Sequence, residues 1–128
     1  MNKKNILIIG LGRVGQRFYC NYTWQYNGDF EVVGVIDENQ DNPFIENLVD
    51  KGIVFFSNID KALEQLGSNV DIVMDTTYCQ NVIQKVHKIL QEAGNKHTVV
   101  VSMIDYLQYK DEEQLISSVL RQNILAAS

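Results

Sequence analysis

The sequence predicts an α/β fold: a doubly wound, mostly parallel sheet of about five strands, with helices on both faces in a three-layer αβα arrangement. Three observations carry that prediction. Short apolar runs alternate with helical patterns along the chain. The runs are almost continuously apolar instead of alternating, which is how strands covered on both faces read. The first of them, NILIIG, opens directly onto Gly10, Gly12 and Gly15, and helical sequence follows.

Each element has its own signal. NILIIG (5–10) is a strand, and residues 13–26 form a helix. On that helix Phe18, Tyr19, Tyr22 and Tyr26 fit one sheet-facing arc. Trp24 falls outside it, where an outward aromatic would mark an interface and a route to a homodimer. EVVGVID (31–37) is the second strand. Asn42 then caps a short helix whose first position is Pro43. IVFF (53–56) is the third strand, and the helix IDKALEQLG closes at Gly67. VDIVMDT (70–76) is the fourth strand, 79–94 a helix, TVVVSM (98–103) the fifth strand, and about 111–124 a last helix. The helix at 79–94 has the clearest period. At about 100° per residue, Val82, Ile83, Val86, Ile89, Leu90 and Ala93 share an arc of about 120°.

The 128 residues suit one domain, 1–128, and 45% of them are hydrophobic, enough for a packed core. Net charge is −5 with no basic block, which argues against nucleic acid and against an anionic membrane surface. No apolar stretch approaches the roughly 20 residues that span a bilayer. The N-terminal run is too short for a signal-peptide core, so the expected location is cytoplasmic. Cys20 and Cys79 belong to no CxxC or Cys/His cluster, so neither a metal site nor a disulfide framework is expected. They read as reduced, half-buried thiols.

A strand, then G-x-G-x-x-G, then a helix is the dinucleotide-binding (Rossmann) arrangement. Gly10 permits a tight turn off the strand. Gly12 lacks a Cβ, so a pyrophosphate can approach the main chain. Gly15 lies in the arc of Val14 and Phe18 and lets the helix sit close to its strand. Amides at this helix start, including those of Arg13 and Val14, face the anion with the positive end of the helix dipole behind them. Asp37 follows Gly15 by 22 residues, at the end of the second strand. A carboxylate there accepts hydrogen bonds from both adenosine ribose hydroxyls and repels a 2′-phosphate, which favours NAD over NADP. The plainer reading is that Asp37 caps the loop DENQDN. The Arg13 side chain either reaches the pyrophosphate or turns to solvent; swung towards the ribose, it would admit NADP.

Ligands of open α/β sheets lie beyond the carboxyl ends of the strands. Thr76 and Thr77 would then face the nicotinamide ribose, with Ser102, Met103 and Ile104 near the ring. No catalytic set is evident: there is neither a Ser-His-Asp order nor metal-ligand spacing. His87 reads as a half-exposed surface residue, and His97 as solvated in the turn AGNKHT.

With these residues in view, the chain resembles the NAD-binding domain of the homoserine dehydrogenase and aspartate dehydrogenase group, and more distantly the glucose–fructose oxidoreductase type. The resemblance rests on IGLGRVG, EVVGVID, NIDKALEQLGSNVDIVMDTT and VIQKVHKILQEAGNKHTVVVSM, and it reaches about residue 120. It implies hydride transfer to or from NAD(P), in enzymes acting on amino acids or sugars. The chain departs from it at SMIDY, where the relatives carry a lysine after the fifth strand; here none follows until Lys110. The resemblance also implies a substrate and catalytic domain beyond this one, from the rest of the chain or from a partner chain, so turnover by these residues alone is not expected. Two other readings stay open: a non-catalytic module that senses NAD(H) or another nucleotide, and a remnant that keeps the fold and binds nothing.

Overall fold

In a computed structural model, residues 3–26 and 30–106 are described, with side chains given outside 21–26 and 105–106. The expected helix at 111–124, Lys110, and the side chains of Tyr22, Trp24 and Tyr26 lie outside that description.

The described chain alternates strand and helix throughout. In order it runs β1 (Lys4–Ile9), α1 (Arg13–Tyr26), β2 (Phe30–Ile36), α2 (Phe44–Val49), β3 (Val54–Phe56), α3 (Ile59–Leu66), β4 (Ile72–Asp75), α4 (Gln80–Glu92) and β5 (Val99–Ser102). A 3₁₀ turn at Gly67–Asn69 leads into β4, and another at Met103–Tyr106 follows β5. All pairings are parallel, and the order is β3-β2-β1-β4-β5. The chain therefore winds outward from β1 through β2 to β3, then returns to the other side of β1 for β4. That reversal places a crevice at the carboxyl ends of β1 and β4.

β1 shows why its sequence is apolar without alternation. Ile6 and Ile8 enter one core, with Phe18 and Tyr19 of α1 and Ile45 and Leu48 of α2. Leu7 and Ile9 enter the other, with Ala62 and Leu63 of α3 and Val86 and Leu90 of α4. Successive residues of a strand point to opposite faces, so a strand covered twice must be apolar at every position.

Boundaries shift from the sequence reading by a residue or two. β2 ends at Ile36, so Asp37 is the first residue beyond the strand, and α4 is shorter at both ends. Ala93 is exposed, not sheet-facing, because α4 stops before it. Asn42 acts as expected at the start of α2: its Oδ1 accepts from Phe44 N at 3.0 Å, and Pro43 already has helical angles. Asn58 caps α3 across three residues, its Oδ1 accepting from Lys61 N at 2.8 Å. Gly67 ends α3 at φ +55°, where a residue with a Cβ would be strained. Cys20 and Cys79 are both exposed, which corrects the expectation of half-buried thiols. Among the described residues no helix is long and apolar enough to cross a membrane.

Candidate functional site

The glycine turn is held from three sides. Gly10 N donates to Ile36 O at 2.7 Å, which ties the turn to the end of β2. The Thr76 hydroxyl lies 2.9 Å from both the Ile9 and Gly10 carbonyl oxygens, and its single proton serves one of them at a time. Gln16 Nε2 and Asn42 Nδ2 both donate to Leu11 O, at 2.9 and 2.8 Å. The Leu11 side chain itself is fully buried in the core.

The three glycines differ in what requires them. Gly10 sits at φ +97°, and a Cβ there would stand 2.8 Å from Thr76 Oγ1. Gly15 is buried beneath the turn, where a Cβ would overlap the Gly10 carbonyl oxygen. Gly12 is different. Its φ lies outside the left-handed region, and a Cβ on it would meet nothing within 4 Å. The fold needs no glycine at that position; an approaching ligand would. Arg13 is exposed at the head of α1, and Val14 packs partly buried on the core, leaving its amide as its contribution to the helix start. The first-turn amides of any α-helix lack intrahelical acceptors, and at this helix start Gly12 and Arg13 are exposed.

A cleft of about 360 Å³ opens beside the turn, at the carboxyl ends of the central strands. Gly10, Asp37, Asn58, Thr77, Val82 and Lys85 are among its walls. Asp37 is half-buried, and its Oδ2 accepts from Asn42 Nδ2 at 3.0 Å. Lys85 pairs with Asp60 at 2.9 Å, which joins α4 to α3. The residue numbers alone did not single out Lys85 or Asn58, because their place in the wall follows from the packing of α3 against α4.

Thr76 and Ser102 are both buried, and their hydroxyls bond to partners within the protein. Thr76 braces the glycine turn. Ser102 Oγ lies 3.4 Å from Asp75 Oδ2 and accepts from Ile104 N at 3.2 Å. Met103 is likewise fully buried in the core. Thr77 does line the cleft, and its amide and hydroxyl donate to Asp75 Oδ1 at 3.0 and 2.7 Å.

Asp75 is the residue that sequence reasoning passed over. It is fully buried at the end of β4. Burial pushes its carboxyl above the ordinary value, and the hydrogen bonds from Thr77 and Ser102 offset part of that rise. An acid closing an otherwise apolar strand was the available signal, since a buried carboxylate needs donors nearby and Thr77 and Ser102 sit at adjacent strand ends. His97 is exposed as expected, but not idle: its Nε2 lies 2.6 Å from Asp71 Oδ1. His87 is exposed on α4.

An all-parallel sheet wound in two directions from β1, with helices on both faces and a glycine turn at the reversal, defines a Rossmann-type α/β fold. Solved structures sharing it include a protein assigned as an NADPH-dependent oxidoreductase from Desulfitobacterium hafniense, with a TM-score of 0.62 at 16% identity over 94% of this chain and 32% of that one. The myo-inositol 2-dehydrogenase of Lactobacillus plantarum aligns with a TM-score of 0.51 at 14% identity, over 94% of this chain and 41% of its own. Homoserine dehydrogenase from S. aureus aligns with a TM-score of 0.50 at 11% identity, over 94% and 43%. The chain thus spans 32% to 43% of the length of these proteins. No protein-family model matches the sequence, and no curated protein sequence matches it.

Proposed function

We propose that the chain is the NAD(P)-binding domain of a homoserine- or aspartate-dehydrogenase-like oxidoreductase, that it takes NAD in preference to NADP, and that a further domain or a partner chain supplies the substrate wall. The observation carrying this reading is Gly12, an exposed glycine that the packing does not require, at the head of a helix whose first-turn amides have no intrahelical acceptors. Asp37 in the adjoining cleft supports it, as a carboxylate fit to accept from the adenosine ribose. A nicotinamide dinucleotide supplies hydride transfer when bound. The residues in hand would do the holding: the amides of Gly12, Arg13 and Val14 the pyrophosphate, Asp37 the adenosine ribose, and Thr77 the wall beyond. Thr76, Ser102 and Asp75 act one layer deeper, by fixing the turn and the ends of β4 and β5.

The inward commitment of Thr76 and Ser102 supports a second reading, a nucleotide-sensing module without chemistry of its own. Thermal melts with NAD, NADH, NADP and NADPH test the shared premise. At 100 times the dissociation constant a ligand adds about 2.7 kcal/mol, a rise of several degrees for a domain of this size. A rise with NAD that exceeds the rise with NADP, and that Asp37→Ala reduces for NAD far more than for NADP, is the expected result. No rise with any of the four overturns both readings. Binding without turnover on amino-acid or sugar-alcohol substrates, even with the partner domain present, leaves the sensor.

A further inference from the structure

Asn42 does more than begin a helix. Its side-chain amide is engaged at every polar atom, and with three different parts of the fold. Oδ1 accepts from Phe44 N at 3.0 Å, which starts α2. One Nδ2 proton goes to Leu11 O in the glycine turn at 2.8 Å. The other goes to Asp37 Oδ2 beyond β2 at 3.0 Å. The orientation of the amide is forced, because a carbonyl and a carboxylate only accept and a main-chain N–H only donates.

We propose that Asn42 is the positioning residue that sets the choice between NAD and NADP, by fastening the Asp37 carboxylate to the glycine turn. This rests on the reading that the cleft takes a dinucleotide. Asp37 stands just past the end of β2, in a loop that would otherwise let its carboxylate turn to solvent. The Asn42 amide holds one oxygen and leaves the other able to accept from ribose hydroxyls. A carboxylate held there also keeps its charge where a 2′-phosphate would sit; one released can swing away from it. The same amide holds Leu11 O inward. Because the peptide is planar and trans, the Gly12 N–H then points the opposite way, towards the outer face of the turn. Asn42 thus registers the ribose acid against the phosphate amides.

No other side chain of that size fits all three tasks. Serine still caps α2 but has a single proton to donate. Aspartate caps α2 but sets a second carboxylate against Asp37. Gln16 also holds Leu11 O, so the glycine turn keeps one anchor when Asn42 is changed, and the loss falls on Asp37.

The test is to measure dissociation constants for NAD and NADP, and the melting temperature without ligand, in the wild type, Asn42→Ser, Asn42→Asp and Gln16→Met. In Asn42→Ser, NAD affinity should fall about tenfold while NADP affinity holds or rises, with an unliganded melt close to wild type because the cap survives. Asn42→Asp should weaken both cofactors, through added negative charge. Gln16→Met should weaken both in equal proportion. If Asn42→Ser binds both cofactors with the wild-type ratio, the proposal is overturned while the dinucleotide reading stands. If the wild type binds neither cofactor, the reading itself falls and this proposal with it.

Discussion

Gly15 lies directly under the Gly10 carbonyl: a β-carbon on it would overlap that oxygen and stand 2.9 Å from Thr76 Oγ1. At Gly15, helix α1 and the turn that feeds it therefore touch main chain to main chain. The contrast with Gly12, whose β-carbon would meet nothing, separates a glycine that the packing requires from one that it does not. Gly15→Ala should destabilise the protein by about 1–3 kcal/mol, because main chain on both sides must move. Gly12→Ala should leave the unliganded melt unchanged or slightly raised, since alanine narrows the unfolded ensemble. It should nevertheless weaken dinucleotide binding. Paired melts and titrations of the two variants check this, and equal loss of stability in both would refute the division of roles.

Thr76 braces the same turn from β4. Its hydroxyl is buried against the Ile9 and Gly10 carbonyls, and its own amide donates to Ile9 O at 2.9 Å. Thr76→Val keeps the shape and removes the donor. The expected cost is about 1 kcal/mol, seen as a lower melting temperature. Thr76→Ser keeps the hydroxyl and should recover much of the difference. A Val variant as stable as wild type would show that the hydroxyl is dispensable to the turn.

How far such roles can be read from sequence depends on their range along the chain. The sheet was legible because β1 and β4 are apolar at consecutive positions, Ile6 to Ile9 and Ile72 to Met74, and burial on both faces demands that pattern. The glycine turn was legible because its residues are neighbours in sequence. Asn42 could be read as a cap, since its partner Phe44 is two residues away, but not as a tie to Leu11, 31 residues back. Thr76 and Ser102 were placed at the right strand ends. Which way a hydroxyl turns at a strand end follows from the packing around it, and the sequence does not carry that. Asp71 and His97 meet across 26 residues for the same reason.

Asp75 gives a pH signature with a definite sign. Burial raises its carboxyl in the folded protein above the ordinary 3.8, against the pull of the Thr77 and Ser102 hydrogen bonds. The folded state therefore holds the proton more tightly than the unfolded state. The associated stability is complete below the ordinary carboxylate value and is lost as pH rises through the folded value. Asp75→Asn keeps an acceptor for Thr77 and offers a donor to Ser102 without the buried charge. It should melt above wild type at neutral pH, and the gap should close near pH 3. Melts from pH 3 to 8 decide it; a variant less stable than wild type at neutral pH would mean that the ionised carboxylate is the favoured occupant.

At the opposite end of the sheet, Asp71 carries the reverse sign. Burial alone would raise its carboxyl. The Asn5 amide at 2.7 Å, the hydrogen bond to His97, and the charges of His97 and Lys4 outweigh that and lower it below 3.8. A depressed folded value contributes stability that is present above the ordinary carboxylate value and lost as pH falls through the folded one. The pair joins the start of β4 to the turn that enters β5, and Asp71 also meets the main chain of β1, so three strand ends depend on it. Its His97 side is largely solvated, which limits the ion pair to about 0.2–1 kcal/mol. Asp71→Asn should therefore lower the melting temperature modestly at pH 6 to 7, and the difference should shrink as pH falls below the ordinary carboxylate value. Added salt should shrink the difference at pH 6, because exposed charges are screened, and should leave the Asn5 contribution in place. A difference that stayed constant from pH 7 through the whole acid range would show that Asp71 acts through shape and not through charge.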